Sequence, residues 1–140
     1  MHAVVIYESL TGNTRRAALS IAGELVAHGV EAIACPITAI DYQALSRADV
    51  VVIGSWTDGV FVMGQRPGRA HRLRSMPALE GKRCVVFCTY AIDPGKVLDK
   101  MTAIAQSRGA TVIGGMTIRR NSLEAGAKEL VGRLTSAVDV

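Results

Sequence analysis

Within six residues, Ser9-Leu10-Thr11-Gly12-Asn13-Thr14, the chain sets out three hydroxyls, one carboxamide and one glycine. Hydroxyls and amides donate hydrogen bonds without carrying charge, and glycine lets backbone approach a ligand closely. A short apolar run, Ala3–Tyr7, precedes the cluster, and a helical pattern follows it. Backbone N–H groups at such a helix start lack intrahelical partners and converge on an anion. The chemistry that results is a phosphate cradle built from dipoles, without lysine. It is neither GxxxxGK[ST] nor GxGxxG, which argues against a P-loop triphosphatase and a dinucleotide Rossmann site. The plainer reading of the same residues is an ordinary helix cap.

Two arginines, Arg15 and Arg16, stand in the first turn of that helix. The macrodipole penalises cations there by a few tenths to about 1 kcal/mol each. A bound phosphate dianion would offset the penalty, and side chains turned into water would make it small. Further basic residues follow two predicted strands. Arg66, Arg69, His71, Arg72 and Arg74 come after the third, with no acid between Gly59 and Met76, and Arg119 and Arg120 come after the fifth. His71 reads as a solvated loop residue. His2 and His28 read as structural, His28 suiting a helix C-terminus.

Cys35, Cys84 and Cys88 form an odd set in apolar surroundings and without metal-site spacing. That favours reduced thiols in a cytoplasmic protein, with Cys84 and Cys88 as small buried hydrophobes rather than a redox pair. The longest uncharged run, Gly109 to Ile118, is ten residues. A membrane span needs roughly 18 or more. The residues up to Glu8 lack the basic region and apolar stretch of a secretory leader.

Hydrophobic residues make up 49% of the chain but aromatics only 4%, so Val, Ile, Ala and Leu must build the core. The net charge of +4 admits anionic ligands or an acidic protein partner. Without an aromatic-interleaved basic helix or a zinc motif, nucleic acid is not expected.

The elements that position these residues alternate. Strands are predicted at Ala3–Tyr7, Val30–Ile37, Asp49–Gly54, within Gly81–Cys88 and at Thr111–Met116. Helices are predicted over Asn13–His28, from Pro94 to Arg108 and over Leu123–Ala137, with Ser122 as cap and a short helix or turn over Thr38–Arg47. Ser55 to Leu79 has little periodicity, and a loop that long is usually functional. Strands alternating with helices predict one α/β domain over residues 1–140, a doubly wound five-stranded parallel sheet with helices on both faces. Ligands of such sheets bind beyond the carboxyl ends of the strands.

Against that layout, Ser9, Thr11, Gly12, Asn13 and Thr14 match every fixed position of [ST]-x-T-G-N-T, and the segment resembles the phosphate-binding loop of flavodoxins. The similarity in layout spans essentially the whole chain. It implies a sheet order of 2-1-3-4-5, non-covalent FMN and one-electron redox chemistry between cytosolic partners. It also implies that the loops after strands three and four hold the flavin ring. Those loops supply Ser55, Trp56, Thr57, Asp58 and Gly59, then Thr89, Tyr90 and Ala91. Trp56 and Tyr90 would flank the ring, and Gly59 would present a flexible peptide to the flavin N5, with Asp58 a charge nearby or a turn residue.

The chain departs from acidic electron carriers in its basic charge, its apolar "GVFVMG" loop and the absence of an acid-rich loop after strand four. A rim carrying Arg66, Arg69, Arg119 and Arg120 would favour adding negative charge to the flavin and would suit a redox partner with an acidic face. A small FMN-dependent oxidoreductase acting on NAD(P)H or another anionic, quinone-like substrate is the alternative. A binding module that has lost FMN is the third. No catalytic dyad and no metal site is evident. A receiver domain shares the topology but needs an acidic pair after strand one and a phosphoacceptor Asp after strand three, where this chain has Tyr7-Glu8 and Gly54-Ser55.

Overall fold

In the computed structural model, residues 1–59 and 64–138 are described. The elements run β1 (His2–Tyr7), α1 (Asn13–Ala27), β2 (Glu31–Pro36), a 3-10 turn (Ile37–Ala39), α2 (Tyr42–Arg47) and β3 (Val50–Asp58). They continue as β4 (Arg66–Pro67), α3 (Ala70–Arg74), β5 (Arg83–Tyr90), α4 (Val97–Ser107), β6 (Thr111–Arg119) and α5 (Leu123–Ala137).

Five parallel strands lie in the order β2-β1-β3-β5-β6. This is the expected 2-1-3-4-5 order, with one added short strand. β4 pairs antiparallel with the end of β3, Thr57 opposite Pro67 and Asp58 opposite Arg66.

Side chains alternate across the central strands, and each face finds its own core. Val5 and Val52 face α1 and α5, together with Phe87, Ile21, Leu25, Leu130 and Leu134. Val4, Ile6, Val51, Ile53 and Val86 face the other side, where Leu45, Leu73 and Met101 from α2, α3 and α4 cover them. Cys35, Cys84 and Cys88 are free, buried thiols on that second side, as expected of small hydrophobes. Truncating a buried leucine in such a core, for example Leu25, costs roughly 2–5 kcal/mol.

Several local expectations need correction. The segment 55–79 is not an unstructured loop: β3 runs on through Asp58, and β4 and α3 follow it. Its short pieces carry too few residues to show a period. The apolar stretch 60–63 lies outside the described residues. β6 likewise extends to Arg119. Pro94 does not open α4. Asp93, Pro94 and Gly95 form a turn in which the Gly95 N–H donates to Asp93 Oδ1 at 2.9 Å, and the helix begins at Val97. Ser122 occupies the N-cap position of α5, but its hydroxyl donates to Asn121 and caps nothing. Val26, assigned to the buried face of α1 by spacing, is 56% exposed.

Candidate functional site

β1 ends in the middle of the sheet, and the Glu8 N–H continues its ladder by donating to the Gly54 carbonyl at 3.0 Å. The chain must then turn sharply into α1. Gly12 makes that turn at φ 98°, a left-handed conformation that costs an L-residue about 1–2 kcal/mol. Ser9 Oγ accepts from the Gly12 N–H at 3.2 Å and the Arg15 N–H at 3.3 Å, so it shapes the loop from within. No described residue accepts from the backbone N–H groups of Asn13 and Thr14, the first two of the helix.

The Thr14 hydroxyl is buried and shares a 2.8 Å hydrogen bond with Thr89 Oγ1, tying α1 to the end of β5. Either hydroxyl can be the donor in that pair, so the bond fixes where the Thr14 side chain sits.

The two arginines of the first turn find different remedies. Arg16 Nη2 donates to Glu124 Oε1 on α5 at 3.1 Å, and Arg15 is exposed to water. Glu124 is held below the ordinary carboxylate range by its own backbone N–H and by Arg16.

The opposite wall comes from the end of β3. Trp56 lies directly on Gly68, whose N–H donates to the Trp56 carbonyl at 2.8 Å. A methyl group at Gly68 would fall 2.1 Å from the indole ring. The Arg69 guanidinium covers the same ring, 5.4 Å from its centroid. Arg69 itself adopts φ 48°, the sole positive φ outside glycine among the described residues. Its guanidinium donates to Glu8 Oε1 at 2.7 Å, and Arg72 meets the same carboxylate at 3.1 and 3.2 Å. Glu8 is only 4% exposed. A buried carboxylate needs such partners, and the pairs clamp α3 and Trp56 to the root of the 9–14 loop.

The third side is the end of β5. The Arg120 N–H donates to the Tyr90 carbonyl at 2.8 Å. Arg119 lies over the Tyr90 ring at 5.8 Å and reaches the Ala91 carbonyl at 3.4 Å.

Together these elements enclose a cleft of about 120 Å³. Leu10, Thr11, Asn13, Thr14, Trp56, Thr57, Thr89, Tyr90 and Ala91, all expected from sequence, line it. Arg120 lines it too. Sequence placed Arg120 only on the rim, and its position just beyond a strand's carboxyl end was the available signal. Ser9 and Gly12 support the loop without lining the cleft.

Three expected residues lie elsewhere. Ser55 is fully buried, and its hydroxyl donates to the Gly68 carbonyl at 2.8 Å, fastening the turn beneath Trp56. Asp58 accepts from the Gly59 N–H at 3.1 Å, pairs with Arg66 at 3.5 Å and faces a different groove. Gly59 follows β3 directly with φ 95°, also outside the cleft.

One atom beneath the cleft lining is conspicuous. Thr57 Oγ1 is buried and makes no well-formed hydrogen bond among the described residues. Its polar neighbour is the Cys88 thiol, a weak partner. Leaving such a hydroxyl unsatisfied costs about 1–3 kcal/mol.

A family model described as a flavodoxin domain matches residues 4–118. The chain belongs to the flavodoxin-domain family. FMN is the cofactor of this family, and electron transfer is its chemistry. No curated protein matches the chain. Among solved structures, this flavodoxin-domain protein is similar to oxidised flavodoxin 2 from Bacillus cereus, with 19% identity and a TM-score of 0.78 over 99% of this chain and 100% of that one. A cysteine-to-serine mutant of the Pseudomonas aeruginosa flavodoxin gives 16% identity and a TM-score of 0.76, with both chains covered fully. The Streptococcus pneumonia TIGR4 flavodoxin gives 20% and 0.74, over 99% of this chain and all of that one. At these identities the likeness concerns the fold. No helix among the described residues is long and apolar enough to cross a membrane.

Proposed function

We propose that this flavodoxin-domain protein carries single electrons, with FMN held by the cleft at the ends of β1, β3 and β5. The observation that carries the reading is the position of the Asn13 and Thr14 N–H groups. They open α1 beyond the left-handed turn at Gly12, beside a cleft walled by two of the chain's few aromatics. The N–H groups and helix dipole suit a phosphate, Thr11 and Asn13 can donate to it, and Trp56 and Tyr90 suit a planar ring.

The cleft, at about 120 Å³, is narrower than the ~300 Å³ at which ligand pockets usually begin. Leu10, which lines the cleft, is 62% exposed, and Ile92, next to the lining residue Ala91, is 74% exposed. An open edge flanked by apolar residues serves electron exchange with another protein. FMN, when bound, supplies the one-electron chemistry. The chain supplies anion binding, ring stacking and partial exclusion of water.

The test compares FMN with riboflavin, which lacks the phosphate. Thr11→Val combined with Asn13→Ala is expected to weaken FMN far more than riboflavin, and FMN is expected to quench the fluorescence of Trp56, the single tryptophan. Equal losses for both ligands, or emission unchanged at saturating FMN, would remove the assignment. Rapid bleaching of the bound flavin by NADPH alone would favour a reductase over a carrier.

A further inference from the structure

Past Asp58 and Arg66, α3 and α4 leave an open groove of about 1020 Å³. One wall carries Arg66, Arg69, His71 and Arg74. The other is a single face of α4, with Lys100, Ala103, Ile104 and Ser107 at i, i+3, i+4 and i+7. Among the described residues Asp58 is the one carboxylate lining the groove, and it meets Arg66 at 3.5 Å. Arg69 is engaged by Glu8. His71 and Arg74 are exposed and pair with no carboxylate among the described residues. Lys100 is exposed as well, its ammonium donating to the Gln65 carbonyl.

The arrangement suits a segment of protein better than a phosphorylated small molecule. The α4 residues that line the groove run toward the helix C-terminus, where the dipole disfavours an anion, and the N-terminal residues Lys96 and Val97 do not line it. Positive charge is therefore gathered on the α3 wall and at Lys100, while the exposed Ala103 and the edge of the core residue Ile104, 8% exposed, offer a small apolar patch farther along the helix. From Lys100 to Ser107 the lining face of α4 is about 10 Å long at ~1.5 Å per residue, a span for a short peptide.

We propose that this groove seats an acidic, amphipathic segment of a partner protein. Its carboxylates meet Arg74 and Lys100, and an aliphatic side chain covers Ala103 and the edge of Ile104. In identifying the owner of that segment as a redox partner the proposal rests on the carrier reading, but the groove's affinity for the segment does not.

The probe is a synthetic, end-blocked peptide of about twelve residues, Glu on one helical face and Leu on the other. Binding is followed by calorimetry and by amide chemical shifts, with and without FMN. Amides of α3 and α4 are expected to shift. Arg74→Gln with Lys100→Gln is expected to weaken binding at least roughly tenfold, whereas Arg47→Gln with Lys128→Gln, equal in charge and exposed elsewhere, leaves it unchanged. Affinity for the peptide without FMN keeps the proposal standing even where FMN fails to bind, so the two readings fail separately. The proposal is overturned by absent binding at low salt, by shifts confined to other surfaces, or by equal losses in both double variants. Displacement of the peptide from α3 and α4 by inorganic pyrophosphate or NADPH, bound more tightly there, would also overturn it and assign the groove to a small anion.

Discussion

Glu8 Oε1 and Arg69 Nη1 lie 2.7 Å apart, joining the root of the 9–14 loop to the start of α3 across 61 positions of sequence. Arg69 pays for that contact with a left-handed backbone, and its guanidinium also covers Trp56. The carboxylate is buried while both arginines are partly exposed, so solvent screening reduces the pair's strength. Glu8→Gln is expected to cost about 1–3 kcal/mol, below the ~3–5 of a fully buried pair. Urea unfolding measures the loss. A shift in Trp56 emission should accompany it, and a variant equal to the parent in both would show that the clamp has no role.

Gly68 has a different duty, that of leaving room. A Cβ there would lie 2.1 Å from the Trp56 ring. Gly68→Ala is expected to displace the indole and cost about 1–3 kcal/mol through overpacking. FMN affinity should fall with it, whereas Gly132→Ala, open on the surface of α5, should leave affinity unchanged. Titration by fluorescence separates the two.

Of the four arginines expected at the rim, Arg120 is the one that lines the cleft. Arg69 is neutralised by Glu8 and Arg66 stands beside Asp58, so neither is the bare cation expected at the rim. One charge ~10 Å from the ring contributes about 0.4–1.7 kcal/mol for effective dielectrics of ~80 to ~20. That is roughly 20–70 mV for one electron. Arg120→Gln is expected to lower the potential of the more negative reduction step by tens of millivolts, an effect that shrinks with salt. Arg69→Gln should move it less. A potential indifferent to Arg120→Gln at low salt would place this charge away from the flavin.

Alkaline pH tests the buried thiols. Burial pushes Cys84 up to about 12 and Cys88 up to about 11, from an ordinary 9.0. Below pH ~9 folded and unfolded chains both keep these protons, and the thiols give stability no slope. Above it the unfolded chain releases protons that the folded chain holds, so stability falls as pH rises toward the folded values. The slope is up to about 1.4 kcal/mol per pH unit for each thiol. Urea midpoints at about pH 7, 8.5 and 10 follow it, and Cys84→Val should flatten the fall at the alkaline end. An unchanged slope would mean that Cys84 ionises as readily folded as unfolded.

Much of this protein is local and was legible as such. The apolar run before Ser9, the helical spacing from Ala17 to Leu25 and the Gly-Asn-Thr turn are short-range patterns. They sufficed for the alternation of strands and helices and for a loop that resembles that of flavodoxins, and it was the resemblance that implied the strand order. What tertiary structure decided are pairings between distant positions: Glu8 with Arg69 and Arg72, Arg16 with Glu124, Thr14 with Thr89. Charge and hydroxyl count say that such groups need partners, but not which ones, because the choice depends on loops brought together only when the sheet closes. The same limit hid β4 and α3, whose few residues carry no period and which hold their shape by pairing with β3 and by the Glu8 clamp. Arg66 and Arg69 therefore read as a free basic rim in one dimension. In three, they are partners of the carboxylates that fold the segment against the cleft.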